Sequence, residues 1–170
     1  GVGKTTLAQL VYKHDRVRRR FEIKAYTCVS EDFDVSRVTK SMHMSISKVT
    51  VNDNDLNSLQ EKLEKELLKK KFLFALDDLW KDNYNDWELL NWPFKVGAPG
   101  SKIIVTTGNH DVALKVGSVR EYALGVLSED DCLRVLTQHS LGARDFNMHQ
   151  SLKGVGQKIA MKYKGLPLAL

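Results

Sequence analysis

The chain has 170 residues, 42% of them hydrophobic, and its 26 lysines and arginines outnumber 21 acidic residues to give a net charge of +5. This length fits one domain, or one domain and the start of another, and the apolar content excludes a disordered chain. No apolar run approaches the roughly 20 residues that a membrane-spanning helix needs, and no signal peptide opens the sequence.

The sequence opens on Gly1-Val2-Gly3-Lys4-Thr5-Thr6, which matches the end of the phosphate-binding motif G-x-x-x-x-G-K-[ST]. In such a loop the backbone N–H groups point at phosphate oxygens, the lysine reaches the terminal phosphates and the first threonine hydroxyl binds Mg²⁺. The first glycine and the preceding strand would lie before Gly1, so we expect a fragment of a longer protein. A glycine-rich helix start with an exposed lysine is the alternative.

Apolar and amphipathic stretches alternate along the rest of the chain, which predicts an α/β fold with a parallel sheet flanked by helices. Strands are predicted at the apolar runs 23–29, 72–76 and 102–107, with a weaker one at 120–124. Helices are predicted from Leu7 onward and at 35–49, 56–68, 109–116, 128–141 and 150–163, with a loop or short helix at 80–92. The leucines of the helix at 56–68 recur at three- and four-residue steps and form one face, Ser128 can cap the helix at 128–141 together with Asp131, and Leu141 is expected to face inward from that helix. Residues 142–145 mark a boundary.

An acidic pair, Asp77-Asp78, follows the wholly apolar run 72–76, which is typical of a strand buried on both faces. Side chains after such a strand lie at the carboxyl edge of the sheet, where open α/β sheets bind ligands. One carboxylate can hold Mg²⁺ there, usually through water, and its neighbour can orient or deprotonate an attacking water. A helix cap is the alternative for a single aspartate. The pair, in a chain that opens with Gly-Lys-Thr-Thr, favours nucleotide binding.

Several segments resemble, in order, the consecutive motifs of the NB-ARC domain, the nucleotide switch of plant disease-resistance proteins with leucine-rich repeats. The matching segments are 1–6, 72–80, 100–107 and 165–170, and the segments 21–35 and 122–146 are similar to two further blocks. The resemblance therefore spans essentially the whole chain. Trp80, which closes the block LDDLW, resembles the coiled-coil subclass of these proteins rather than the TIR subclass.

The resemblance implies a P-loop NTPase sheet in residues 1–142, lacking its first strand, and the beginning of the helical ARC1 subdomain in 143–170. It implies that Thr5 and Asp77 hold Mg²⁺ and that Asp78 is the catalytic, water-activating residue. The nucleotide-binding residues that it implies are Gly1, Val2, Gly3, Lys4, Thr5, Thr6, Thr107 and Pro167, with Pro167 near the adenine. The local pattern alone would make Pro167 a helix-starting proline after a glycine stop.

One position departs from the family pattern. The family usually carries arginine after the pair Thr106-Thr107, where it can sense the γ-phosphate, and this chain carries Gly108. Because glycine offers no cation, triphosphate sensing and hydrolysis are in question, whereas diphosphate binding needs no such contact.

The function that the resemblance implies is an ADP/ATP-binding switch of a cytoplasmic plant immune receptor, reset by slow Mg²⁺-dependent hydrolysis. The implied partners are adenine nucleotide and other domains of the same receptor, namely a coiled coil, later ARC subdomains and leucine-rich repeats, with oligomerisation on activation. The alternative is a continuously working P-loop ATPase of the motor or transporter type, although a transporter-type L-S-G-G-Q signature is missing. The distant cysteines, Cys28 and Cys132, fit a reducing compartment.

The basic excess has a second interpretation, a nucleic-acid surface. Its clusters at 16–20 and 69–71 follow predicted helices and precede predicted strands, where cations complement the helix dipole. Acidic stretches at 77–78 and 129–131 interrupt any continuous basic face, so we favour solvated helix ends. The five histidines show no zinc spacing.

Overall fold

The computed structural model describes residues 1–29, 33–80, 83–117, 120–140 and 150–169. The chain forms two compact units, a larger one of Thr5–Glu121 and a smaller one of Gly1–Lys4 with Tyr122–Leu170. The boundary predicted between residues 142 and 143 falls in 141–149, outside the described residues.

A parallel sheet forms the centre of the larger unit, in the order β1 (Ile23–Cys28), β2 (Phe72–Asp77), β3 (Lys102–Val105). In the register, Cys28 lies opposite Asp77 and Leu76 lies opposite Val105. Every residue of β2 is buried, as the apolar run predicted. The predicted α/β class with a parallel sheet is confirmed.

The predicted helices are present, each within a few residues of its expected bounds. The helices that lie wholly or mainly in the larger unit are α1 (Lys4–Lys13), α2 (Asp15–Arg18), α3 (Val35–Ser47), α4 (Leu56–Leu67), α5 (Tyr84–Asn91) with a 3-10 turn at Trp92–Val96, and α6 (His110–Lys115). The short helix α2 was not predicted. Those of the smaller unit are α7 (Glu129–Ser140), α8 (Gln150–Lys162) and a 3-10 turn at Pro167–Ala169. In the described part of the chain, no helix has the length and apolar character needed to cross a membrane.

The core of the larger unit forms where α3, α4 and the 3-10 turn pack against the sheet. The rings of Phe72, Phe74 and Phe94 lie with their centroids 4.8–5.4 Å apart, and Phe74 meets the other two edge-on, an arrangement that aromatic rings favour. The apolar face predicted for α4 is confirmed at its buried leucines but is wrong at Leu68, which is 54% exposed. The helix ends at Leu67, and the chain turns outward through Lys69, whose φ is 56°.

Short polar side chains set the starts of four helices. Each accepts a hydrogen bond from a backbone N–H group in the first turn, which satisfies a donor that has no partner within the helix. The caps are Asp34 for α3, Asp55 for α4, Asn83 for α5 and Asn109 for α6.

The turn before α4 carries a carboxylate with three hydrogen-bond donors. Asp53 accepts from the Lys62 Nζ at 2.6 Å, the Ser58 Oγ at 2.5 Å and the Asp55 backbone N at 3.0 Å. The hydrogen bonds from Lys62 and Ser58, with that from the Asp55 backbone, hold the pKa of Asp53 well below its usual range. Because the folded-state pKa is the lower one, this stabilisation is complete above about pH 4 and is lost as the pH falls further.

We therefore expect Asp53→Asn to lower the melting temperature at neutral pH, with a difference from wild type that shrinks as the pH falls below about 4. Melting curves followed by circular dichroism from about pH 7 to about pH 3 measure this difference. Glu61→Gln removes an exposed carboxylate of α4 and is the matched control. A difference that stays constant across the pH range would contradict the prediction.

In the smaller unit, α7 begins at a side-chain cap. The Ser128 Oγ accepts from the Asp131 backbone N at 3.1 Å and donates to the Asp131 carboxylate at 2.7 Å, as predicted. After α8 the chain turns at Gly165, whose φ is +74° and whose carbonyl accepts from the Leu127 backbone N at 2.8 Å. A Cβ atom at this glycine would lie 2.4 Å from the Leu127 carbonyl oxygen, so the turn needs glycine.

The strand predicted at 120–124 is wrong. Residues 120–124 are described and form neither helix nor strand, and the Tyr122 side chain is 71% exposed. A parallel strand is held by the ladder of a neighbouring strand. Within the described residues no strand pairs with this segment, and its composition, which includes the charged Arg120 and Glu121, favours a strand only weakly. Leu141, which was predicted to face inward from α7, lies outside the described residues.

Candidate functional site

The carboxyl end of β2 brings together the two side chains predicted to hold Mg²⁺. The Thr5 Oγ1, in the first turn of α1, donates a hydrogen bond to the Asp77 Oδ1 at 3.0 Å. Asp77 is the last residue of β2 and is only 4% exposed, so the contact lies at the carboxyl end of the strand and is largely shielded from solvent. A hydroxyl and a carboxylate in contact are hard oxygen ligands of the kind that Mg²⁺ prefers.

A residue that the sequence analysis did not select, Thr106, contacts the acidic pair. Its Oγ1 donates to the Asp77 Oδ1 at 2.5 Å and accepts from the Asp78 backbone N at 2.9 Å. Its backbone N donates to the Leu76 carbonyl at 3.0 Å, and its own carbonyl accepts from the Leu79 N at 2.9 Å. Thr106 is the first residue after β3, and a hydroxyl directly after an apolar strand was the signal that could have identified it.

The neighbouring threonine, Thr107, faces another group. Its Oγ1 accepts from the Asn109 backbone N at 3.0 Å, which stabilises the turn into α6. No hydrogen bond between the described side chains joins it to Asp77. Its part in nucleotide binding stays a prediction.

The backbone separates the two carboxylates of the acidic pair. Asp78 has a φ of 64°, in the left-handed region that residues other than glycine adopt infrequently, although aspartate tolerates it better than most. Its side chain is exposed, whereas that of Asp77 is buried. One carboxylate therefore faces the protein and the other faces solvent, which is compatible with a metal-binding role and a water-activating role.

A buried phenol lies beside Asp77. The Tyr26 hydroxyl is buried and has no well-formed hydrogen bond in the described part of the chain. Burial, together with the nearby Asp77 carboxylate, raises the pKa of Tyr26 to about 12. The phenol is therefore protonated at physiological pH, and its O–H is a polar group that a bound molecule or water can satisfy.

Gly108, which stands where the family usually carries arginine, lies beside the indole ring of Trp80. A Cβ atom at this position would lie 3.2 Å from the Trp80 Cη2, which is closer than ordinary van der Waals contact. Trp80 is 48% exposed and Gly108 is exposed as well, so the ring lies beside this glycine and both contact solvent. The loops after β2 and β3 thus pack together through this pair.

In the smaller unit, the first residue of the glycine-rich opening contacts the end of the chain. The Leu168 backbone N donates to the Gly1 carbonyl at 3.4 Å, and a Cβ atom at Gly1 would lie 2.7 Å from the Leu168 Cβ. Pro167 precedes this contact and begins the last 3-10 turn. Gly3 has a φ of +92°, a conformation that favours glycine. The other predicted cradle residues, Val2, Lys4 and Thr6, lie at or beside the start of α1.

The donor set fits Mg²⁺ bound together with a nucleotide. Among the described residues, no cluster of three or more histidine, cysteine, aspartate or glutamate side chains could hold a metal ion by itself. Mg²⁺ does not need such a cluster, because it is commonly held by one or two carboxylates, water and substrate phosphates. Thr5 and Asp77 offer oxygen ligands of this kind side by side, and their part in metal binding stays a prediction.

Comparisons with known proteins identify the family of the chain. Residues 1–145 match the family model described as "NB-ARC domain". The chain is 39% identical to a putative disease resistance RPP13-like protein 1 of Arabidopsis thaliana, covering 100% of this chain and 16% of that protein. It is 38% identical to the disease resistance protein RGA2 of Solanum bulbocastanum, covering 99% of this chain and 17% of that protein. The chain belongs to the NB-ARC family of nucleotide-binding domains.

Proposed function

We propose that this chain is the ADP/ATP-binding switch module of a plant immune receptor and acts in disease resistance. The observation that carries the proposal is the contact between the Thr5 hydroxyl and the buried Asp77 carboxylate, at 3.0 Å, in a chain of the NB-ARC family. The names of the relatives support the role in disease resistance. Because the chain spans only 16% and 17% of two of these relatives, the activity of the whole protein is part of the proposal.

In this proposal, residues 1–142 form the nucleotide-binding core and residues 143–170 begin the ARC1 subdomain. The phosphates bind at the residues around the start of α1, where backbone N–H groups and the Lys4 ammonium are anion ligands. Thr107 contributes at the edge of the sheet. Pro167 contacts the adenine, which is supported by the packing of the neighbouring Leu168 on Gly1. Mg²⁺, when bound through Thr5 and Asp77, neutralises phosphate charge.

The switch depends on contacts that only one nucleotide makes. A ligand shifts an equilibrium between two conformations only by its difference in affinity for them, so ATP must gain contacts through its γ-phosphate that ADP lacks. Asp78 is exposed and can orient the water that removes this phosphate. With Gly108 and no cation at that position, hydrolysis is slow and serves to reset the module.

The proposed setting is the cytoplasm, where thiols stay reduced. Cys28 and Cys132 are both free cysteines in the structure, which fits that compartment. The proposed partners are adenine nucleotide and the other domains of the receptor, namely a coiled coil, later ARC subdomains and leucine-rich repeats. Oligomerisation on activation belongs to the same proposal.

Phosphate release by the purified full-length protein, measured with excess ATP and Mg²⁺, tests the switch. We expect a release of no more than about one phosphate per chain, followed by a slow steady rate well below the typical enzyme median of about 10 per second. The ADP formed should stay bound through gel filtration. Sustained turnover of several ATP molecules per second with no retained ADP would contradict the switch and would favour a continuously working ATPase.

A further inference from the structure

Thr106 binds the acidic loop through every polar group that it has. Its backbone N and carbonyl form hydrogen bonds with the backbones of Leu76 and Leu79. Its hydroxyl forms hydrogen bonds with the Asp77 carboxylate and the Asp78 backbone N. The side chain is 9% exposed, so these contacts are largely shielded from solvent. The neighbouring Thr107, whose hydroxyl hydrogen-bonds to the backbone of Asn109, makes no comparable set of contacts.

The hydrogen bonds of the Thr106 hydroxyl have a definite direction. The Asp78 backbone N–H can only donate, so the hydroxyl accepts from it and gives its single proton to the Asp77 carboxylate. This donated hydrogen bond constrains the orientation of the Asp77 side chain at the carboxyl end of β2.

Two hydroxyl groups converge on one oxygen of Asp77. Thr5 and Thr106 both donate to Oδ1, and Oδ2 accepts neither of these hydrogen bonds. The two hydroxyl groups therefore constrain the orientation of the carboxylate through Oδ1. Thr5 is a proposed metal ligand, so its hydroxyl would coordinate the metal when nucleotide is bound. Thr106 is not a proposed ligand, so its hydrogen bond to Asp77 can persist both before and after nucleotide binds.

We propose that Thr106 is a positioning residue that orients Asp77 toward Mg²⁺ and fixes the backbone of Asp78. This inference rests on the proposed function and assigns a role that the sequence analysis gave to no residue. The left-handed Asp78 needs support from its surroundings, and the Thr106 hydroxyl supplies it through the N–H of that residue. Outer contacts of this kind typically change metal affinity by about 10- to 100-fold when they are lost.

The test is the Mg²⁺ dependence of ADP binding by the full-length protein, measured by calorimetry in Mg²⁺ and again in EDTA. The quantity of interest is the ratio of the two affinities. Thr106→Val keeps the shape of the side chain and removes the hydroxyl, so we expect it to reduce this ratio by about 10-fold or more while ADP affinity in EDTA changes less than about 2-fold. Thr106→Ser keeps the hydroxyl, and we expect the wild-type ratio.

Thr39→Val is the matched control, because Thr39 is also buried and its hydroxyl has no hydrogen-bond partner in the described part of the chain. It lies in α3, outside the proposed site, and should leave the ratio unchanged. Circular dichroism checks that each variant folds, and Thr106→Ala replaces Thr106→Val if the valine variant does not. An unchanged ratio in the variant without the hydroxyl, or an equal loss in Mg²⁺ and EDTA, would overturn the role of Thr106. If wild type itself binds no ADP in either buffer, the proposed function fails and this inference fails with it.

Discussion

Asp77→Asn in the full-length protein is expected to weaken ADP binding in the presence of Mg²⁺ by about 10- to 150-fold, since a hydrogen bond or ligand contact to a charged group is worth about 1.5–3 kcal/mol. The amide has the size of the carboxylate and still offers an oxygen to the hydroxyls of Thr5 and Thr106. What it loses is the negative charge next to the proposed metal. The variant should therefore fold and should fail selectively in Mg²⁺.

The same measurement in EDTA separates this effect from general damage to the site. Without the metal, the negative charge of Asp77 has no favourable partner on the nucleotide, so the asparagine variant should bind ADP at least as well as wild type. Glu61→Gln, on the exposed side of α4, controls for the loss of one carboxylate elsewhere. If Asp77→Asn keeps the full effect of Mg²⁺, this carboxylate is not the metal ligand.

Gly108→Arg is expected to raise the affinity for ATP relative to ADP by a similar factor, about 10- to 150-fold. The arginine would supply a cation for the γ-phosphate, which ADP lacks. Any side chain at this position requires the Trp80 ring to shift slightly, because the new Cβ atom would lie 3.2 Å from the Trp80 Cη2. Trp80 is half-exposed and can move aside, so we also expect a change in tryptophan fluorescence.

Gly108→Ala is the matched control for this experiment. It introduces the same Cβ atom against Trp80 without the cation, so it reports the steric part alone. The nucleotide preference of each variant follows from competition between ATP and ADP for the full-length protein. Equal preference in the wild type, alanine and arginine proteins would show that residue 108 does not contact the γ-phosphate.

The features that sequence predicted well are local or follow from the α/β pattern. The apolar run 72–76 gave a strand buried at every position, and a carboxylate that follows such a strand must lie at the carboxyl edge, as Asp77 does. The start of α7 followed from Ser128, with Asp131 three residues later. These signals lie within a few residues of the structure that they specify.

The features that sequence missed depend on pairing between distant segments. Thr106 and Thr107 are adjacent threonines, and only the register of β3 on β2 makes the first of them face Asp77. The strand expected at 120–124 rests on a weak local signal and has no neighbouring strand to pair with in the described chain. The packing of Trp80 on Gly108 likewise joins two loops whose approach is set by the sheet.

The nucleotide content of the purified full-length protein tests the central claim most directly. Protein isolated in Mg²⁺, passed through gel filtration and then denatured, releases its bound nucleotide for chromatography. We predict about one adenine nucleotide per chain, mostly ADP, with less than about a tenth of that amount in Asp77→Asn, as the loss of Mg²⁺-supported affinity requires. Wild-type protein that carries no nucleotide, and that takes up none when ADP and Mg²⁺ are added, would contradict it.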